Sequence, residues 1–295
     1  MYKHLHSSVL DIVGLGQDEK IKWIKKPKWI GYARARDVLT KLDDLLHHPR
    51  ESRMPNMLLV GSTNNGKTKL IKHFAQKHAA QENLGGDYII APVLYFQAPP
   101  SPTEAGFYSD ILNSLFERVP SASTDAKRAR VIQVLRGIQV KVLIIDELHN
   151  ILAGASVKQQ QFLNMIKYLG NELEISIVGC GTGDLLRAVS IDPQIQNRFT
   201  PEILSKWKMN KEFRQLLMSF ESLLPLKEAS NLHEKLIASK ILAMSEGSIG
   251  EVSTLLNSAT IYAVRQGEEK ITEDVLNDCG YIAPDDRKEY ASRVQ

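Results

Sequence analysis

Eight consecutive residues, Gly61-Ser62-Thr63-Asn64-Asn65-Gly66-Lys67-Thr68, are of the types and in the order that hold a chain of phosphates. They fit G-x-x-x-x-G-K-[ST] and lie between a short apolar run, Met57–Val60, and a stretch with helical spacing. The glycines let the backbone wrap a phosphate chain, with N–H groups pointing inward at a helix N-terminus. Lys67 would bring positive charge to the β- and γ-phosphates, and the Thr68 hydroxyl would ligate magnesium. With both flanks in place, an accidental glycine-rich turn is the weaker reading.

A second cluster is Val142-Leu143-Ile144-Ile145-Asp146-Glu147. A buried apolar strand delivering two carboxylates at its C-terminal end is the Walker B arrangement. Asp146 would hold the magnesium ion through water, while Glu147 would orient and deprotonate an attacking water. A strand that merely stops at a charged turn is the bland alternative, and pairing with the first motif counts against it. Because Glu147 favours hydrolysis by an activated water, an NTPase is expected rather than a kinase. No N-K-x-D guanine motif occurs, which favours adenine. The run Val93–Phe96, between the two motifs in sequence, suggests that another strand separates their strands in the sheet.

Two further residues are candidates. Ile175–Val178 followed by Gly179-Cys180-Gly181-Thr182 is a strand that could set the Thr182 hydroxyl beside the γ-phosphate; the rival role for Thr182 is capping the helix starting near Asp184. Arg198, in Gln196-Asn197-Arg198-Phe199, could reach a neighbouring subunit's nucleotide, with Arg187 as the rival. Either arginine is otherwise a solvated surface residue. His149 invites a metal reading, but no second His or Cys lies at ligand spacing, so it is set aside.

The elements that position these residues follow from periodicity. Apolar runs at 57–60, 92–96, 142–145 and 175–178, with a weaker one at 202–204, alternate with helical patterns at 67–80, 103–118, 125–137 and 157–173. Such alternation predicts an α/β fold with a parallel sheet flanked by helices. A helix is also expected at 33–47, ended by Pro49. After Trp207 only helical patterns remain, at 210–224, 231–245, 249–266 and 272–279, with Asn231 and Thr272 placed as N-caps. Lys20, Lys22, Lys25, Lys26 and Lys28, around the Lys26-Pro27 break, read as an irregular basic arm. The expected domains are thus an arm at 1–28, an α/β ATPase core at 29–206, an all-helical lid at 207–280 and a tail at 281–295.

Composition adds bounds rather than function. The 295 residues are 43% hydrophobic and 24% charged, with 37 Lys+Arg against 34 Asp+Glu, which excludes a disordered polymer. A net charge of +3 names no partner. No apolar stretch approaches the roughly 20 residues of a membrane span, and Asp11 interrupts Val9–Val13, so no signal peptide or membrane partner is expected. Two cysteines, Cys180 and Cys279, suit a reducing compartment.

Together these positions resemble the AAA+ ATPases. The likeness is nearest to the TniB/TnsC group of ATP-dependent regulators of DNA transposition, and covers about residues 25–280. It rests on Trp29-Ile30-Gly31-Tyr32, the loop at 61–68, Ile-Ile-Asp-Glu-Leu-His-Asn at 144–150, Ile-Val-Gly-Cys-Gly-Thr at 177–182 and Asn-Arg-Phe at 197–199. The resemblance implies a P-loop core, ATP and Mg2+ as cofactors, and adenine contact from Ile30 and Gly31. It also implies a homo-oligomeric ring or helical filament around double-stranded DNA, with a transposase and a target-selection adaptor as partners, in the bacterial cytoplasm. The family's lid usually brings an arginine near Gly247–Glu251; here Gly247-Ser248-Ile249-Gly250-Glu251 holds none, which predicts slow hydrolysis. DNA held without base reading needs cations aimed at phosphates. Lys127, Arg128 and Arg130 form the densest basic group in the core, although such a turn is often only a solvated face. The lysine-rich arm competes with them, as does the loop Pro99–Thr103. Two other readings remain: an AAA+ switch of signalling or secretion that acts on proteins, and a replication initiator or helicase loader.

Overall fold

The computed structural model describes residues 2–101, 103–190 and 196–293. Pro102 of the loop named above and residues 294–295 of the tail lie outside them. The chain divides into two compact units. An α/β unit comprises Asp37–Thr63 and Lys67–Leu204; a helical unit comprises Met1–Arg36, Asn64–Gly66 and Ser205–Gln295.

In the α/β unit, β1 (Asn56–Gly61), β2 (Val93–Gln97), β3 (Val142–Asp146), β4 (Ser176–Gly181) and β5 (Phe199–Leu204) form one sheet in the order β2-β3-β4-β1-β5. Every pairing is parallel. The central strands β3 and β4 are buried throughout, as expected for strands covered on both faces. A strand does separate β1 from β3, but it is β4. The Val93–Phe96 run lies beyond β3, at the sheet edge. At the other edge, β5 contains Pro201 and exposes Thr200, Pro201 and Ile203. An edge strand tolerates a proline that cannot donate to the ladder, and that composition is why its sequence signal is weak.

The connecting helices are α3 (Lys67–Lys77), α4 (Glu104–Ser114), α5 (Thr124–Gly137), α6 (Ser156–Leu173) and α7 (Asp184–Val189), with α2 (Ala33–His47) before β1. Their inward faces meet the sheet through Phe96, Phe107 and Phe162. The Phe107 ring lies 5.0 Å from Phe96 and 5.1 Å from Phe162, in edge-to-face contacts that hold α4 and α6 over β2.

The helical unit contains α1 (Gln17–Lys25), α8 (Lys211–Glu221), α9 (Lys235–Ser245), α10 (Ile249–Gln266), α11 (Glu273–Asp278) and α12 (Pro284–Arg293). Its core gathers Ile24, Trp207, Phe213, Leu217, Leu255 and Leu276. Two expectations are corrected here. The lysine-rich segment is not irregular up to the proline: α1 packs against α10, with Ile24 fully buried and Lys20 paired to Glu269 at 3.6 Å. Lysine stems can cover apolar surface while their heads stay wet, so a basic run can hide an amphipathic helix. Lys28 Nζ donates to the carbonyls of Trp23 (2.7 Å) and Ile24 (3.0 Å), a cation closing the helix C-terminus before Pro27. Asn231 is not an N-cap. It adopts φ +53°, its N–H and that of Leu232 bond the Glu221 carboxylate, and α9 starts later behind Glu234. Thr272 does cap its helix, accepting from Val275 N at 3.2 Å.

Candidate nucleotide site

β1 ends at Gly61 and α3 begins at Lys67, so the glycine-rich loop crosses from the carboxyl end of a buried strand to a helix N-terminus. Gly66 takes φ +83°, a conformation that L side chains rarely adopt. The Lys67 side chain is buried and donates to the carbonyls of Gly61 (2.8 Å) and Ser62 (2.9 Å). Burial pushes its ammonium below the usual lysine pKa, and the nearby Glu147 and Asp146 carboxylates pull it partly back.

Asp146, at the end of β3, is almost fully buried. Its Oδ2 accepts from Thr68 Oγ1 at 2.8 Å and from the Tyr95 hydroxyl at 3.2 Å, while Oδ1 accepts from Glu147 N at 2.9 Å. Thr68 and Asp146 therefore present adjacent hard oxygens, the donor chemistry magnesium takes from protein. Tyr95 was missed in the sequence, where β2 reads only as an apolar run. Burial, with Asp146 beside it, pushes the Tyr95 phenol above the usual tyrosine pKa, so it acts as a hydrogen-bond donor that orients the carboxylate.

The chain leaves β3 through Glu147 in a left-handed conformation, φ +53° and ψ +32°. That turn separates its side chain from the strand that carries Asp146. Glu147 Oε2 lies 3.4 Å from His149 Nε2. The absence of a side chain at Gly181 makes room for that imidazole, since a Cβ there would sit 3.1 Å from His149 Nδ1. Val60 of β1 pairs with Gly181 of β4, which sets Thr182 beside the start of the loop. Thr182 Oγ1 is buried with no hydrogen-bond partner among the described residues. It does not cap α7, whose N-cap is Gly183 without a side-chain bond.

Not every candidate joins this cluster. Arg198 precedes β5, where Phe199 pairs with Asn56, the first residue of β1. It is thus one strand length, roughly 17 Å, from the loop on its own chain. Its guanidinium donates to Asn171 Oδ1 at 2.7 Å. Arg187 is exposed and ion-paired with Asp184. Of the basic group on α5, Lys127 bonds Ser109 Oγ (3.1 Å) and Arg130 pairs with Glu117 (2.6 Å). Arg128 pairs with Asp125 and with Glu104 (3.3 Å). Much of the charge these side chains offer is therefore already neutralised within the unit.

In the helical unit, Ile30 packs partly buried against the core. The Tyr32 ring meets Trp207 edge-on at 5.2 Å, and a cavity of about 250 Å³ is lined by Gly31, Tyr32, Arg36, Trp207 and Glu212 among others. Loop residues Asn64–Gly66 belong to this unit. The hydroxyl of Tyr32 lies 4.0 Å, and Ile249 Cγ2 3.1 Å, from where a Cβ on Gly66 would stand.

Residues 20–209 match the family described as bacterial TniB protein. No curated protein matches the sequence. Among solved structures, the Aeropyrum pernix ORC1 protein in complex with DNA aligns with TM-score 0.62 at 17% identity, over 91% of this chain and 69% of that one. Cdc6p from Pyrobaculum aerophilum gives 0.61 at 17% identity, over 87% and 69%. The Thermotoga maritima RuvB Holliday junction branch migration motor gives 0.52 at 16%, over 92% and 80%. At such identities these likenesses establish the fold. With the family match and the Lys67, Thr68, Asp146 and Glu147 cluster, they lead to one conclusion: the chain belongs to the bacterial TniB family and is an ATPase of the AAA+ type.

Proposed function

We propose that this ATPase assembles on double-stranded DNA with ATP bound, engages a transposase and a target-selection adaptor, and disassembles after hydrolysis. The observation carrying the reading is the split of its candidate site residues between the two ends of the sheet. Lys67, Thr68, Asp146, Glu147 and Thr182 gather at the carboxyl ends of the strands, while Arg198 lies at the opposite end. An arginine so placed cannot serve its own chain's loop, but it suits a neighbour's in a ring or filament. Lys67 would hold the β- and γ-phosphates, and Thr182 would meet the γ-phosphate. Glu147 would take the proton of the attacking water. Thr68 and Asp146 would hold magnesium, which supplies neutralising charge between the phosphates. Ile30 and Gly31 would face the adenine. That the ORC1 neighbour is in complex with DNA supports the choice of DNA.

Electron microscopy of the protein with duplex DNA and a non-hydrolysable ATP analogue tests this reading, and ordered assemblies that need both are expected. A protein that stays monomeric under these conditions refutes it.

The internal pairing of Lys127, Arg128 and Arg130 favours a second reading, a nucleotide switch whose partners are proteins. Salt titration separates the two. Phosphate contacts predict DNA affinity that falls steeply with salt, whereas the switch predicts no measurable DNA binding at any salt.

A further inference from the structure

Within the helical unit, the loop residue Asn64 is tied to the start of α10. Asn64, at the crown of the loop, adopts φ +59°. Its carbonyl accepts from Ser248 Oγ at 2.8 Å and from Gly250 N at 3.0 Å. Its side-chain amide donates to Glu251 Oε1 at 2.9 Å. The approach is so close that a Cβ on Gly250 would fall 1.9 Å from Asn64 Oδ1, so only glycine fits there. Glu251 is buried, and its second oxygen, Oε2, accepts from the Tyr281 hydroxyl at 2.7 Å and from the Arg287 guanidinium of α12. Burial alone would raise the Glu251 pKa, but the bonds from Tyr281, Asn64 and Arg287 outweigh it and hold the carboxyl below its ordinary value.

A buried carboxylate needs all of its acceptor sites matched, so each donor fixes the others. The Asn64 peptide in turn sets the direction of the loop N–H groups that follow it. We propose that Glu251 is a positioning residue for ATP binding: it holds Asn64 in the left-handed conformation that shapes the phosphate loop. Tyr281 and Arg287 anchor Glu251 from the other side, so that docking of α12 and binding of nucleotide favour each other. The proposal rests on the ATPase assignment. Because linkage is reciprocal, tightening of α12 by ATP and weakening of ATP binding by loss of α12 contacts are one coupling seen from two sides.

The test uses the full chain. Arg287→Ala removes an exposed contact and Tyr281→Phe a single hydroxyl, so both should fold; Glu251→Gln keeps the shape and removes the charge. Equilibrium binding of Mg-ATP is measured for each, with hydrogen exchange across residues 284–293 with and without nucleotide. Expected are Kd increases of roughly three- to tenfold for Arg287→Ala and Glu251→Gln, and ATP-dependent protection of 284–293 in the parent that Arg287→Ala loses. Parental ATP affinity in both variants, or lowered melting temperatures with unchanged Kd, would overturn the proposal and leave the ATPase assignment standing. A parent chain that binds no ATP would instead remove the assignment on which it rests.

Discussion

Thr68 Oγ1 donates to Asp146 Oδ2 across 2.8 Å, although 78 positions separate the two residues in the chain. The bond joins the first turn of α3, which follows β1, to the end of β3, and β1 and β3 are not neighbours in the sheet. Because each side chain offers an oxygen to the same point, neither should be replaceable without weakening magnesium binding. Thr68→Ala and Asp146→Ala are expected to lower Mg-dependent kcat by roughly a hundredfold or more. Steady-state phosphate release across a magnesium titration measures this. Hydrolysis with parental magnesium dependence in either variant would remove these two as the metal's ligands.

Glu147 and Lys67 separate chemistry from binding. Glu147→Gln keeps the size of the side chain and removes its basicity, so kcat should fall by about 10²–10⁴ with ATP affinity nearly unchanged. Lys67→Ala removes a cation that the loop carbonyls already hold in place, and should abolish measurable ATP binding. Single-turnover kinetics beside equilibrium binding distinguish the two. His149→Ala, which removes the group 3.4 Å from the Glu147 carboxylate, should reduce kcat several-fold with KM held.

Thr182 gives a prediction with opposite signs for stability and activity. Its buried hydroxyl has no partner among the described residues, and an unpaired buried polar group costs free energy. Thr182→Val keeps the shape, so the melting temperature should hold or rise while hydrolysis falls. Parental hydrolysis in Thr182→Val would show that the hydroxyl has no part in the reaction.

Ile24 tests the revised account of the N-terminal segment. It is fully buried in the helical unit, on a helix read from sequence as a basic arm. Ile24→Ala should destabilise that unit by about 2–5 kcal/mol, seen as an earlier unfolding transition on heating. An irregular solvated arm would show no change.

These residues also mark what the sequence could convey. The loop, β3 and α3 were legible because a buried parallel strand reads as an unbroken apolar run and the phosphate motif has a fixed spacing. Helix α1 was hidden because five lysines between 20 and 28 mask a seam whose buried positions include Ile24 and the stem of Lys20. Tyr95 was invisible as a site residue, since its role depends on lateral pairing of β2 with β3, and pairing leaves no local trace. Asn231 carried a plausible capping pattern, but the Glu221 carboxylate captured its N–H and moved the helix start three residues on. The Glu251 cluster joins residues from 64 to 287, a separation that no window of local spacing can span.

The contact that ties α2 to α3 predicts how acid acts on the α/β unit. Asp43 on α2 pairs with Lys77 Nζ at 3.0 Å and His78 Nε2 at 2.9 Å. Burial works against the Asp43 carboxylate, but the Lys77 and His78 partners outweigh it and hold its pKa below the ordinary 3.8. A depressed folded-state pKa means that the unfolded chain takes up the proton first. The stabilisation is therefore complete above pH 3.8 and is lost as the pH falls through the folded-state value. Asp43 is partly exposed, so the pair is worth only about 0.2–1 kcal/mol. Asp43→Asn should thus lower the melting temperature by about 1–4 °C at pH 7. The gap between variant and parent should close below about pH 3.8, where the parent carboxyl has itself begun to lose its charge. Thermal melts of both proteins from pH 7 to pH 3 measure this. A gap that stayed constant across that range would show that the Asp43 charge adds nothing to the helix contact.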